Sequence, residues 1–200
     1  MKDETAPCIS TYEQSWNHLR LITSFGCWIP MPYIPSIEMF LTEIENAIDS
    51  RLYYIALVLT LTVPDVCSAL ESENGRAHST LYKNWCRKHL QQAFPSLTPE
   101  DCYSLRCGVI HQGRMGIPGR DFARVIFTFP DSGLNVFHNN VMNDALQFDA
   151  VRFCQSIISA ARAWTFIAAE NPIVRANADN LVQLRSNGMP PYIVGAPVIA

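Results

Sequence analysis

Apolar positions recur at intervals of three and four residues over much of the chain, the period of a helix with one buried face. This pattern predicts helices over residues 36–63, 78–93, 99–112 and 149–169. The first of these is predicted as one long helix, or two with a break, ending near Pro64. Residues 65–70 add a further helical turn. The pattern therefore predicts a mainly α fold.

One change of period predicts a β-hairpin. Residues 124–129 alternate apolar and polar positions, as a half-buried strand does. The turn sequence Pro-Asp-Ser-Gly follows at residues 130–133, and residues 134–138 are predicted to return as the second strand. The expected fold class is therefore a helical bundle with an inserted β-hairpin.

Composition along the chain suggests three parts. Residues 1–36 are rich in proline and aromatic residues and are expected to pack on the domain that follows. Residues 37–170 contain the strong helical periods and form that domain. Residues 171–200 are first polar and then contain proline and glycine, so we interpret them as a C-terminal tail.

The helix over residues 99–112 has the clearest terminal signals in the chain. Thr98 is the predicted N-cap, Pro99 occupies the first helical position, and Glu100 and Asp101 bring negative charge to the first turn. Gly113 is expected to end the helix in a left-handed conformation. These signals place the following chemistry on a well-defined helix.

The overall composition is that of a globular protein in a reducing compartment. The 200 residues are 48% hydrophobic and only 16% charged, which excludes a disordered chain. The seven cysteines are odd in number and form no close pair, as expected of cytoplasmic thiols. No secretory peptide is predicted. The longest apolar run has about twelve residues and is too short to cross a bilayer. We expect a cytoplasmic protein without a membrane partner.

The charge distribution changes this picture, because the net charge of −3 is an average of unlike segments. Residues 1–75 contain three Lys or Arg against ten Asp or Glu. Residues 76–124 contain eight cations against three anions. An anionic partner such as RNA would therefore be met by the middle of the chain.

Within this basic segment, Arg106 is followed five positions later by His111. An arginine holds a phosphate bidentately, and a histidine transfers protons near neutral pH, so the pair is suited to phosphodiester cleavage. On one helix the two residues are separated by about 7.5 Å along the axis and about 140° around it. That geometry aims them poorly at one phosphate. Two such helices in a homodimer are expected to assemble a shared site.

Three sequence stretches resemble one bacterial branch of the HEPN superfamily. They are LTPEDCYSLRCGVIHQGR, which is similar to the final core helix of that superfamily, and the upstream segments YYIALVLTLTVPDVCSALES and LYKNWCRKHL. The resemblance covers residues 37–113 and extends more weakly to about residue 169. It implies an α-helical bundle, frequent homodimers and, in active members, a metal-independent endoribonuclease. Attack by the ribose 2′-hydroxyl in such an enzyme is expected to leave a 2′,3′-cyclic phosphate.

The arginine and histidine of the family motif correspond to Arg106 and His111, the expected catalytic residues. Active members often have Asn, Asp or His directly after the arginine, where this chain has Cys107. The resemblance predicts a ribonuclease of toxin–antitoxin or anti-phage systems, with an antitoxin or regulatory protein as a possible partner. The alternative is a non-catalytic HEPN module that binds RNA or a protein.

Several neighbouring residues have more than one interpretation. The candidate substrate-binding residues are Lys83, Arg87, Lys88 and Gln112, although three cations on one helix also suit a solvated face. Asp65, which follows Pro64 between apolar residues, is interpreted as a helix cap, a buried polar anchor or a contributor to the site.

A zinc site is the alternative for a second group of residues in the same region. It would consist of Cys86, His89, Cys107 and His111, two pairs at spacings that share a helix face. The preferred interpretation has no metal and no cofactor.

Overall fold

A computed structural model describes residues 34–115, 122–130 and 137–200, and the backbone of two short strands before them. Six helices lie within these ranges: α1 Pro35–Asp49, α2 Tyr53–Leu70, α3 Ser79–His89, α4 Pro99–Gln112, α5 Ala150–Ala168 and α6 Pro172–Ala178. The predicted mainly α class is confirmed. The expected packing of residues 1–36 on the domain lies outside the described residues, apart from the antiparallel pairing of β1 Arg20–Ile22 with β2 Trp28–Pro30.

The long apolar segment forms two helices with a break between them. Arg51 adopts a left-handed conformation with φ 59°, and the Leu52 amide donates to the Ala47 carbonyl at 2.8 Å. This hydrogen bond closes α1 in the manner of a Schellman motif. The predicted end near Pro64 is wrong, because α2 continues through this proline, whereas the helical turn predicted over residues 65–70 is confirmed as the end of the same helix. Pro64 removes one backbone donor, and the burial of the residues around it keeps the helix intact.

Helix α2 lies at the centre of the bundle and contacts α1, α3, α4, α5 and α6. Among the described residues, it is the helix whose length and composition would allow it to cross a membrane. Half of its 18 residues are buried inside the protein. Its apolar character is therefore explained in part by its position in the core.

The return strand of the predicted β-hairpin, residues 134–138, falls mostly outside the described residues, and the described partner of its first strand is a different segment. Strand β3 Arg124–Thr128 pairs in parallel with β5 Ala145–Asp149, and the hairpin partner of β5 is β4 Asn140–Met142. The strand order is therefore β3-β5-β4. Asn143 and Asp144 have φ values of 50° and 60°, which suit the two central positions of a tight hairpin turn. Of the predicted return strand 134–138, only residues 137 and 138 are described, and they are not in a strand.

The sheet is held against the helices by an aromatic cluster. Phe148 on β5 contacts Phe94, Phe127 and Phe153, with ring centroids 5.2 to 6.0 Å apart. Strand β5 is the central strand and is paired on both edges. Its side chains Leu146 and Phe148 are fully buried and fill the core, as expected of a central strand.

The C-terminal residues contain α6 and two small antiparallel pairs. Strand β6 Leu184–Arg185 pairs with β9 Val198–Ile199, and β7 Gly188–Met189 pairs with β8 Ile193–Val194. Val174 on α6 is fully buried, and the Asn177 side chain donates to the carbonyls of Leu70 and Ser72. Helix α6 is thus attached to the C-terminal end of α2.

Helices α1 and α5 are joined by a group of three charged side chains. The Arg162 guanidinium donates to the carboxylates of both Glu38 and Glu45, at 2.5 to 3.2 Å. The hydrogen bonds to Glu45 raise the pKa of Arg162, burial opposes them, and Glu38 adds to the increase. Because Glu38 and Glu45 are two helical turns apart, one guanidinium can bind both.

We expect Arg162→Gln to lower the free energy of unfolding by about 1–3 kcal/mol, measured by urea unfolding. The range allows for the exposure of Arg162, whose side chain is 37% accessible. Arg87→Gln is the matched control, because its contacts with Glu100 and Asn84 are more exposed and should contribute below about 1 kcal/mol. Equal losses of unfolding free energy in the two variants would show that the Glu38–Arg162–Glu45 group stabilises the fold no more than an exposed ion pair does.

Candidate functional site

Helix α4 has the termini that its sequence predicts. The Thr98 hydroxyl accepts from the Asp101 amide at 3.2 Å, and the Asp101 carboxylate accepts from the Thr98 amide at 3.1 Å. These two bonds form a capping box. Gly113 closes the other end with φ 63°. Between the caps, Arg106 lies in the middle of the helix and His111 in its last turn.

Arg106 forms an ion pair with Asp65 on α2. Its Nε donates to Asp65 Oδ2 at 2.7 Å, and both side chains are largely covered, at 21% and 17% exposure. Burial raises the pKa of Asp65, and the Arg106 guanidinium and His111 offset part of this effect. Burial also acts to lower the pKa of Arg106, but the contacts with Asp65 and Cys107 outweigh it and raise that pKa.

The structure corrects the interpretation of Asp65 as a cap, because Asp65 lies inside α2. It follows Pro64, on a helix whose other residues are almost all apolar. An isolated acid in such a segment is the sequence signal that indicated a buried role. The identity of its partner, 41 positions along the chain, is visible only in the folded protein.

Arg106 and His111 also contact each other. Arg106 Nη1 lies 3.0 Å from His111 Nε2. Because the guanidinium is only a donor, a hydrogen bond between these two atoms requires Nε2 to be the acceptor. The predicted separation along and around the helix axis therefore applies to the backbone positions, and it is wrong for the side chains, which are in contact. The long Arg106 side chain spans the angular gap and brings both groups to one point.

The guanidinium keeps donors for a ligand. Nη1 also lies 3.9 Å from Cys107 Sγ, a weak acceptor. Among the described residues, no hydrogen bond involves Nη2 of Arg106. Its two N–H groups are available to an anion, while Nε is held by Asp65 and Nη1 by His111. Asp65, Arg106 and the exposed His111 thus form a chain of polar contacts from the bundle interior to the surface.

The predicted basic residues do not all lie at this site. The Lys83 ammonium lies 5.4 Å from the ring centroid of Tyr103, which is one helical turn before Cys107 on α4. Arg87 instead pairs with Glu100 at 3.5 Å, near the N-terminal end of α4. Helices α3 and α4 are therefore antiparallel, and Arg87 faces the end of α4 opposite to His111.

The other two candidate binding residues, Lys88 and Gln112, lie toward opposite ends of α4. Lys88 is exposed and comes directly after Arg87, toward the N-terminal end of α4 and away from His111. Gln112 is exposed and lines a cleft beside the last turn of α4. Of the four predicted binding residues, Lys83 and Gln112 are the two nearest to the Arg106–His111 pair along the helices.

The zinc alternative is not supported by the geometry. Within the part of the chain that the structure describes, no three His, Cys, Asp or Glu side chains are close enough to share a metal ion. Cys86 is buried, and the His89 ring packs against Trp85 with centroids 4.8 Å apart. The Cys86–His89 pair therefore belongs to the core of the bundle.

Two partly buried histidines differ from His111 in their environment. Burial lowers the pKa of His89, with a smaller lowering effect of Lys88 and an opposing effect of Glu71. Burial also lowers the pKa of His138, opposed by Asp149. Both rings are thus held in the neutral form in the folded protein more strongly than in the unfolded chain.

This difference predicts a pH-dependent stability. At His89 and His138 the unfolded chain binds more protons than the folded one below the ordinary histidine pKa of about 6.5, so the stability that these two residues contribute is full above this pH and falls as pH decreases. We expect the urea midpoint to be lower at pH 5.5 than at pH 7.5. The double variant His89→Gln/His138→Gln should depend less on pH. An unchanged pH dependence would contradict this assignment.

Comparison with known proteins assigns no family to the chain. No protein-family model, no curated protein and no solved structure matches it. A functional interpretation therefore depends on the geometry around Arg106 and on the sequence resemblance described above.

Proposed function

We propose that this chain is a HEPN-like endoribonuclease that cleaves RNA without a metal ion. The observation that supports this proposal best is the chain of contacts Asp65–Arg106–His111, which combines a fixed cation with a titratable, exposed base. An arginine with two unused donors beside a histidine is suited to a phosphodiester. The proposed setting is the cytoplasm, in toxin–antitoxin or anti-phage defence. In agreement with a reducing compartment, the five described cysteines are free thiols.

The proposed reaction is an internal transesterification. His111 Nε2 accepts the proton of a ribose 2′-hydroxyl, the 2′-oxygen forms a bond to phosphorus, and the bond from phosphorus to the 5′-oxygen breaks. The leaving 5′-oxygen takes a proton from imidazolium, either from the same His111 or from that of a second copy in a homodimer. The products are a 2′,3′-cyclic phosphate and a 5′-hydroxyl end.

Arg106 would bind the scissile phosphate through Nη2 and stabilise the negative charge that develops on it. For this step His111 must exchange the Arg106 donor for the 2′-hydroxyl. A phosphate bound at the guanidinium favours this exchange, because Nη1 can then donate to a charged phosphate oxygen and release the imidazole of His111. Asp65 keeps Nε occupied, and so directs the other side of the guanidinium outward.

The test is incubation of single-stranded RNA with the protein in EDTA, followed by analysis of the product ends. Cleavage that yields 2′,3′-cyclic phosphate and 5′-hydroxyl ends is the expected result. Products with 5′-phosphate ends, or no cleavage on any RNA tested, would contradict the proposal. Binding without cleavage, with a salt dependence that weakens in Lys83→Gln, would favour the non-catalytic RNA-binding alternative. Light scattering would test the homodimer, for which the expected molar mass is twice that of the single chain.

A further inference from the structure

A cleft opens beside the last turn of α4. Its volume is about 730 Å³, within the range of small-ligand sites. Helix α2 contributes one wall, the end of α4 a second and strand β3 a third. The lining residues that matter here are Tyr54, Leu57, Gln112, Arg114, Arg124 and Phe129.

The lining combines aromatic surface with positive charge. Tyr54, near the start of α2, is 54% exposed, so its ring is accessible to a ligand. Arg114 and Arg124 are exposed, and neither forms an ion pair among the described residues. No Asp or Glu is among the described residues that line the cleft. The matching ligand is therefore an anion that also has a flat, weakly polar surface.

The position of the cleft connects it to Arg106. Asp65 on α2 contacts Arg106 on α4, whereas Leu57, earlier on α2, shares the cleft with Gln112, later on α4. The two helices are therefore antiparallel along this face. The cleft begins about 9 Å beyond Arg106 in the direction of the α4 axis, and His111 belongs to the turn between them. Gln112 lies about 120° around the α4 axis from Arg106, so a strand bound at Arg106 would follow the last turn of α4 around to reach the cleft.

We propose that this cleft binds an unpaired nucleotide of an RNA strand next to the phosphate held by Arg106. Tyr54 stacks on the base, and Arg114 and Arg124 bind backbone phosphates. Stacking on an exposed aromatic ring, together with a cationic rim, is how proteins bind single-stranded nucleic acid. A base in a duplex has both faces covered, so the cleft selects single-stranded RNA. This inference rests on the proposed function for the identity of the strand, and it adds the substrate class.

The experiment measures binding and cleavage separately. Binding of a 5′-fluorescein-labelled single-stranded 12-mer RNA is followed by fluorescence anisotropy on the His111→Ala protein, so that the RNA stays intact. Tyr54→Ala, added to that protein, is expected to weaken binding about 10-fold. Arg114→Gln is expected to weaken it about 3- to 10-fold and to reduce the salt slope by about 0.7. The same RNA as a duplex should bind more weakly than the single strand.

Matched controls remove the same chemistry elsewhere. The control for Tyr54→Ala is Tyr192→Ala, which removes a tyrosine that is 80% exposed and lies outside the cleft. Arg175→Gln removes a cation from α6, which packs at the other end of α2. Both controls should bind RNA like their parent. Urea unfolding of every variant verifies that each one is folded.

The outcomes separate this inference from the proposed function. If the wild type cleaves RNA and the Tyr54→Ala and Arg114→Gln variants bind like their controls, the cleft inference is wrong and the function stands. If these variants weaken binding but no RNA is cleaved, the cleft inference stands and the catalytic function is wrong. A protein that binds no RNA overturns both. A duplex that binds as tightly as the single strand overturns the inference about substrate class.

Discussion

Replacing His111 with alanine is expected to reduce the rate of RNA cleavage in EDTA by about 10²–10⁴-fold, the contribution of a general acid–base group. His111 is exposed at the end of α4, and its one described polar contact is with Arg106. The loss should therefore affect catalysis and leave the urea midpoint close to that of the wild type. His111→Gln should be nearly as inactive, because an amide does not take up a proton at neutral pH.

The matched control for this prediction is His78→Ala. His78 is exposed at the N-cap position of α3, and its side chain makes no capping hydrogen bond there. This variant should cleave RNA like the wild type. If His111→Ala and the wild type cleave at the same rate, the activity belongs to another site or to a contaminating nuclease, and the proposed mechanism is wrong.

Removing the partner of Arg106 is the second change with a large expected effect. Asp65→Asn keeps the size of the side chain but removes the charge that fixes the guanidinium. We expect kcat for RNA cleavage to fall about 10- to 100-fold, with a smaller change in KM, since a misdirected Arg106 still attracts phosphate. The free energy of unfolding should fall by about 1–3 kcal/mol, because the largely covered Arg106 is left beside a neutral amide.

A double-variant comparison distinguishes positioning from a general loss of stability. Arg106→Ala should be strongly impaired, and Asp65→Asn should cause little further loss of activity in the Arg106→Ala background, because the two residues act as one unit. Asp65→Glu should recover part of the activity. Additive losses in the double variant would show that Asp65 acts independently of Arg106 and would contradict a positioning role.

The structure also limits the meaning of the basic segment. Residues 76–124 are cationic as a group, but Arg87 is paired with Glu100, and Lys83 lies over Tyr103. Arg114 and Arg124 are at the cleft, away from both. The positive charge is therefore divided between two regions, and only part of it is adjacent to His111.

Local signals in the sequence were sufficient for the helices. Helix α4 and its caps at Thr98 and Gly113 depend on neighbouring residues, so short-range patterns identified both ends. Helix α5 begins at Ala150, after the Asp149 N-cap, close to its predicted start. The pairing of β3 depends on a strand about twenty positions away. The nearby Pro-Asp-Ser-Gly turn signal therefore gave no indication of this partner.

For this protein, the sequence by itself determined the mainly α class, the helix that bears Arg106 and His111, and the candidate residues, because helical periods and caps are local. Tertiary structure decided which side chains meet. Asp65 reaches Arg106 across the bundle, Arg106 bridges the angle to His111, and Tyr54 and Arg114 come together in one cleft. Such contacts depend on how helices pack and on which rotamers long side chains adopt, and neither is encoded in a short window of residues.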